Sequence, residues 1–230
     1  MPSNRFFFDG ALLNGAEIAL DGPEDHHLRH VMRVRLGEQV ELVNGRGSLA
    51  GASVHALEKR ASLLRIQDVV TQAPPVQTIA LGIPLLRPSK LEWVVEKGTE
   101  LGVSAFLLYV ADHGELDTLS QHALERLRHV MIAALKQSGR LHLPELSMEK
   151  ELGSLLNRGG LILFGDTRSS APWIKATAEP QVVFITGPER GVSEREHALL
   201  TARGQGVRLS AHVLRAETAP IAAASILAIP

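Results

Sequence analysis

The 230-residue chain contains no cysteine, which removes disulfides, thiolate metal ligands and a cysteine nucleophile at one stroke. Long apolar runs are missing as well, and none approaches the ~20 residues of a membrane-spanning helix. No basic and apolar leader opens the sequence, because Arg5-Phe-Phe-Phe8 gives way at once to Asp9-Gly10, so the expected location is cytoplasmic. The formal net charge of −1 supplies no overall basic field to announce a nucleic-acid binder. Ten histidines show no zinc-ligand spacing, and no metal site is expected. Internal repeats and low-complexity tracts are absent. What is present, 45% hydrophobic and 21% charged residues, suits a globular protein with a core large enough for one large domain or two small ones.

The first part of the chain reads mainly as β. Candidate strands are residues 5–8, 39–43, 48–56 and 62–70, with a hairpin turn at Asn44-Gly-Arg-Gly47 and one helical piece over residues 25–34. Short strands of this kind close naturally into a small barrel. Gln72-Ala-Pro-Pro-Val76 then breaks every pattern, which sets domains of 1–72 and 73–230. Beyond it strands and helices alternate. Strands are expected at 76–83, 105–110, 161–165, 182–186 and 207–209, and helices at 89–101, 120–138, 193–203 and 218–228. Ser89 with Glu92 reads as one helix cap, Ser193 with Glu196 as another and Thr218 as a third, while Gly102, Gly139 and Gly204 stand just past three helix ends. The alternation predicts an α/β domain with a mainly parallel sheet.

The chemistry concentrates late in the chain. Ile185-Thr-Gly-Pro-Glu-Arg-Gly-Val-Ser193 and Leu209-Ser-Ala-His-Val-Leu-Arg-Ala-Glu-Thr-Ala219 each follow an apolar strand and lead into a helix. Two strand–loop–helix turns of this sort place backbone amides and helix N-termini on one rim of a sheet, where ligands bind. The Gly-Pro and Gly residues of the first segment would also serve a tight turn. A dinucleotide-binding fold would instead carry its glycine-rich turn after the domain's first strand, and Gly82-Ile-Pro-Leu-Leu-Arg-Pro88 has no GxGxxG. Gly45-Arg-Gly-Ser-Leu-Ala-Gly51 has the wrong spacing. The stretch from His26 to Gly37 carries Arg29, Arg33 and Arg35 with three histidines and no acid, a pattern that fits RNA phosphates or a solvated face.

The blocks Glu96-Lys-Gly-Thr-Glu-Leu-Gly-Val103, Gln137-Ser-Gly-Arg140, Gly187-Pro-Glu-Arg-Gly191 and Leu214-Arg-Ala-Glu-Thr-Ala219 resemble, in order, the signature blocks of the RsmE family of 16S rRNA uridine-N3 methyltransferases. The block from Asp25 to Gly47 is similar to that family's N-terminal RNA-binding module. The resemblance implies a PUA-like β-barrel followed by a SPOUT-type α/β domain with a C-terminal trefoil knot, acting as a cytoplasmic homodimer in ribosome biogenesis. It implies S-adenosylmethionine as cofactor, held by Leu163 and Gly165, by Thr186, Gly187, Pro188, Glu189 and Gly191, and by Leu209, Ser210 and Leu214. Arg215 and Glu217 are the implied catalytic pair, the arginine stabilising a uridine anion and the glutamate accepting a proton or orienting the arginine. A structural ion pair at a helix start is the alternative. Arg29, Arg33, Arg35 and Arg140 are the implied RNA contacts, with the small ribosomal subunit as partner and neither membrane nor metal. Lack of cysteine suits a nitrogen or oxygen target, since C5 methylation generally needs a cysteine adduct.

Three segments depart from the family pattern. Arg190 stands where a glycine is usual, so that position either does not need a positive φ or is strained. Ser210 and His212 replace a glycine and an arginine, and Ala111-Asp-His-Gly114 lacks a common Glu-Arg pair. These changes keep two other readings open: a related methyltransferase acting at another RNA position or a ribose 2′-OH, and a degenerate RNA-binding or assembly protein.

Overall fold

The computed structural model describes residues 4–229 and divides into two compact units. One comprises Met1–Pro74 with Leu135–Leu143, and the other Pro75–Ala134 with Pro144–Pro230. The first unit ends at Pro74 and resumes with residues 135–143, which sequence order gives no sign of.

The first unit is built on β1 (Arg5–Phe7), β2 (Glu17–Asp21), β3 (Gln39–Val43), β4 (Ser48–Leu57) and β5 (Ala61–Thr71), ordered β1-β3-β4-β5-β2. β1 runs parallel to β3 and the remaining pairs are antiparallel. Register shifts at Gly51/Ala52 and Val54/Ala56 bulge the long β4–β5 pair, which bends and twists the sheet about its core. Phe6, Leu28, Leu42, Leu64 and Ile66 fill that core. β2 was not expected, although its alternation turns Ile18 and Leu20 inward.

The expected helix over 25–34 is shorter and less regular. α1 (Gly22–His26) starts with Pro23 in its first turn and passes into a π-helical turn, His27–Val31. Arg33 then takes a φ of 54°, and the Val34 N–H closes back on the Leu28 carbonyl at 3.1 Å. The bond encloses seven residues, one more than in a glycine-terminated α-helix end because the preceding turn is π-helical, and arginine occupies the left-handed position at a cost of roughly 1–2 kcal/mol.

The second unit is a six-stranded, wholly parallel sheet in the order β11-β9-β10-β6-β7-β8. Its strands are β6 (Thr78–Pro84), β7 (Ala105–Tyr109), β8 (Glu145–Glu149), β9 (Leu161–Gly165), β10 (Gln181–Ile185) and β11 (Gln205–Val207). Helices α2 (Pro88–Glu100), α3 (Gln121–Ser138), α4 (Leu152–Leu155), α5 (Glu194–Arg203) and α6 (Thr218–Leu227) connect or follow them. β7 is buried along its whole length and reads as an unbroken apolar run, as a central parallel strand must. On α2 one apolar face buries Leu91, Val94 and Val95 completely; on α3 Leu127, Met131, Ala134 and Leu135 are buried.

Several local expectations are corrected. β8 and the short α4 went unpredicted, β8 because an edge strand of sequence ELSME has little apolar content. β11 ends at Val207, two residues earlier than expected, which releases Arg208 and Leu209 into the following loop. Ser89 is not a cap: Pro88 opens α2, and Arg87 precedes it without a side-chain cap bond. Thr218 is the first helical residue, after Glu217. At α5 the capping box forms as expected, with Glu196 N–H donating to Ser193 Oγ at 3.1 Å and Ser193 N–H donating to Glu196 Oε2 at 2.9 Å.

Candidate functional site

β11, β9 and β10 are adjacent and parallel, so their C-terminal ends lie on one rim and the three loops that leave them converge. Between these loops lies a cleft of about 970 Å³. It is walled by residues 165–168 after β9, 186–192 after β10 and 208–216 after β11, with His197 and Ala219 from the helices behind.

Each loop is fixed by specific bonds. In the first, Asp166 N–H donates to the Val207 carbonyl at 2.9 Å, and the Asp166 carboxylate receives the Arg168 backbone N–H at 2.9 Å and its guanidinium at 2.5 Å. That pairing holds the Asp166 carboxyl below its usual range. Gly206 makes room for it, since a Cβ there would stand 2.7 Å from Asp166 Oδ2. In the second loop, Thr186 N–H donates to Gly82 O at 2.9 Å while its own carbonyl accepts from the buried Tyr109 hydroxyl at 2.7 Å. Gly191 N–H closes a turn onto Pro188 O at 2.9 Å, with Gly191 at φ 77°. Arg190 is not among the positive-φ residues, so the turn places its left-handed residue on Gly191 and the arginine is unstrained. The third loop is tied at its ends: His212 N–H donates to Ser210 Oγ at 3.1 Å, and the Arg215 carbonyl receives Thr218 N–H at 2.9 Å.

The structure therefore brings Gly165, Thr186, Gly187, Pro188, Glu189, Gly191, Leu209, Ser210, Leu214 and Arg215 to one cleft wall. Leu163 is not on that wall; it is buried within β9. Glu217 stands behind the wall, with its side chain 15% exposed, and its Oε2 lies 3.2 Å from Lys90 Nζ. Among the described residues no ion pair joins Arg215 to Glu217. Instead Lys90, at the start of α2, bridges Glu189 and Glu217, which ties loop, helix and rim together. The hydrogen bond to Glu189, and then that to Glu217, raise the Lys90 pKa, and Lys90 in turn lowers that of Glu189. Arg215 also lowers it through charge alone.

A second network supports the rim from below. Arg195 of α5 donates to Asp112 Oδ1 at 2.8 Å and to Glu151 Oε2 at 3.0 Å, and Ser193 Oγ donates to Asp112 Oδ2 at 2.5 Å. Arg195 first, and Ser193 second, depress the Asp112 pKa to about 2. The fully buried Glu196 accepts the Asp112 N–H at 3.0 Å as well as its own cap bond. Thus the Ala111–Gly114 segment is held by an arginine of α5. Lys90, Tyr109 and Arg195 escaped the sequence reading; for Lys90 the available signal was its position just after a strand end on the same rim.

In the first unit Arg29 faces inward. Its guanidinium is bonded to Asp25 Oδ1 at 2.8 Å, to Ser62 Oγ at 3.1 Å and to the carbonyls of Glu58 and Ala61. Arg33 and Arg35 are exposed. Arg140 is partly buried, and burial lowers its pKa. Among the described residues no cluster of three or more acidic or histidine side chains could hold a metal, and no helix is long and apolar enough to cross a membrane.

Residues 72–228 match the family model of an RNA methyltransferase domain, and residues 20–67 that of an RNA methyltransferase PUA domain. The chain is 31% identical to the ribosomal RNA small subunit methyltransferase E of Synechocystis sp. over 219 residues, which cover 90% of this chain and 71% of that relative. A Legionella pneumophila protein solved in complex with bound cofactor SAM superimposes with a TM-score of 0.88 at 26% identity, covering 98% of this chain and 97% of that one. Ribosomal RNA small subunit methyltransferase E from Neisseria gonorrhoeae, bound to S-adenosyl methionine, gives 0.86 at 26% identity over 96% and 95% of the two chains. This chain belongs to the ribosomal RNA small subunit methyltransferase E family.

Proposed function

We propose that this chain transfers the methyl group of S-adenosylmethionine to N3 of a specific uridine in 16S rRNA of the small ribosomal subunit. The observation that carries the reading is the single cleft where the loops after β9, β10 and β11 meet. Its size falls within the ~300–1,000 Å³ of small-molecule sites. Its chemistry also fits the donor: loop backbone for an adenine edge, Leu209 and Leu214 for apolar walls, and the carboxylates of Asp166 and Glu189 for a cationic tail. Gly187 lets Val192 pack closely against the loop, since a Cβ there would meet Val192 Cγ1 at 2.9 Å. When bound, the donor supplies a methyl group on a sulfonium, ready for a nitrogen nucleophile.

The protein's task is then to bind uridine and favour loss of its N3 proton to solvent water, which frees the N3 lone pair for the methyl carbon. Arg215, exposed on the cleft wall, places a positive charge beside the acceptor and stabilises the negative charge on O2 or O4. Glu217 is a positioning residue whose Lys90 bridge anchors the start of α6. In the N-terminal unit Arg33 and Arg35 contact RNA phosphates, as does Arg140 of the same unit, while Arg29 holds the fold that presents them. We extend the proposal to a cytoplasmic homodimer whose partner covers the cleft near Val213, which is 80% exposed. The chain from β9 to α6 is taken to thread a trefoil knot, consistent with β9, β10 and β11 pairing out of sequence order.

The test is transfer of labelled methyl to small subunits from a strain lacking the native modification, followed by nucleoside analysis. Label in 3-methyluridine is expected; label in a 2′-O-methyl nucleoside, or none, overturns the reading.

A further inference from the structure

Trp173 lies in the long connection between β9 and β10, and half of its surface faces solvent. Its neighbour Ile174 is buried, so the segment is anchored by one side chain while displaying the other. The backbone fixes it: Arg208 N–H donates to Pro172 O at 2.8 Å, and Ile174 N–H donates to Arg208 O at 2.9 Å, a parallel bridge that brackets Trp173 on the edge of the sheet beyond β11. The Arg208 guanidinium carbon sits 4.6 Å from the centroid of the indole ring. Arg208 itself lines the cleft and leads directly into Leu209 and Ser210 of its third loop. No carboxylate pairs with Arg208 among the described residues, so its charge is left for a ligand.

A rigid indole, half exposed and braced by an unpaired guanidinium at the mouth of a methyl-transfer cleft, matches the way proteins hold single-stranded RNA: bases stack on aromatic faces and on arginine planes while the cation serves the phosphate. We propose that Trp173 and Arg208 form a stacking platform for an RNA base next to the target uridine, holding the strand so that the uridine enters the cleft. The proposal rests on the RNA-methylating reading above. The adenine of the donor is not the occupant, because Trp173 lies outside the cleft wall where that reading places the donor.

The chain has two tryptophans, which makes the platform directly observable. In a Trp93→Phe background, which replaces the partly exposed tryptophan of α2, Trp173 becomes the sole indole reporter. A single-stranded oligoribonucleotide carrying the target sequence is expected to quench its emission. In full-length enzyme Trp173→Ala is expected to raise KM for small subunits by about 5- to 150-fold, with kcat and calorimetric S-adenosylmethionine affinity held near wild type. Trp173→Phe should restore most of the loss. Unchanged emission and unchanged KM, in enzyme that still methylates RNA, overturn the platform and leave the function standing. Emission that responds to protein concentration but not to RNA assigns the face to a second copy of the chain and overturns it too. If wild-type enzyme methylates no RNA, the functional reading falls and the platform with it.

Discussion

The hydroxyl of Tyr109, at the end of β7, donates a 2.7 Å hydrogen bond to the carbonyl of Thr186, the first residue of the cleft's central loop. Burial, with the charges of Glu196 and Asp112, raises the phenol's pKa well above its usual value, so Tyr109 remains a donor throughout the working pH range. Tyr109→Phe leaves the ring in place and removes only the bond. It should cost about 1–2 kcal/mol in urea denaturation and weaken S-adenosylmethionine binding several-fold. Wild-type stability and affinity together would show that the bond does not position the loop.

Arg215 is the residue on which the proposed chemistry depends most. Arg215→Ala should lower kcat by roughly 10²–10³, the usual loss of one preorganised charge in a transition state, while calorimetry finds the donor bound as in wild type. Single-turnover methyl transfer at the wild-type rate in folded variant would remove Arg215 from the mechanism.

The Lys90 bridge gives a cooperative prediction. Because Lys90 contacts both Glu189 and Glu217, Lys90→Ala and Glu217→Ala should each weaken donor binding, and the double variant should be little worse than the poorer single. Effects on Kd that simply multiply would mean that the two side chains act independently.

Asp112 provides a pH test. Its folded-state pKa of about 2 lies below the ordinary 3.8, so ionised Asp112 stabilises the fold above pH ~4, and this contribution is lost as pH falls through about 2. Asp112→Asn should therefore have a lower urea midpoint than wild type at pH 6, and the gap should narrow steadily between pH ~4 and ~2. A gap constant across that window would exclude the Arg195–Asp112 pair as its source.

Arg190 yields a prediction of the opposite kind. The turn places its left-handed residue on Gly191 (φ 77°), so Arg190→Gly should relieve no strain. Stability should stay level or fall by about 0.5–1 kcal/mol through chain entropy, with donor affinity unchanged. A clear gain in melting temperature would reveal strain at Arg190.

These residues also mark how far the sequence was legible. The cleft could be read early because strand, glycine-bearing loop and capped helix are local patterns: the Ser193–Glu196 box and the loop at 186–192 formed where expected. Partners distant in the chain were not legible. Lys90 meets Glu217 across 127 positions, and Arg195 meets Asp112 across 83, distances over which no periodicity carries information. Arg29 looked like part of a basic surface, because charge spacing cannot tell an outward guanidinium from one bonded to Ser62 and two carbonyls. β8 failed for the reverse reason, its edge position demanding little hydrophobicity. β2 was missed despite a clean alternation of Ile18 and Leu20. The shift in β11 mattered most, since strand propensity alone would keep Arg208 and Leu209 in the sheet, whereas the fold delivers both to the cleft.

The central claim is that the three rim loops hold the methyl donor, and a crystal structure of the protein with S-adenosylmethionine or its demethylated product tests it most directly. The account predicts ligand density between residues 165–168, 186–192 and 208–216, with Arg215 beside the open face. Ligand bound elsewhere, with these loops empty at saturating concentration, would contradict it.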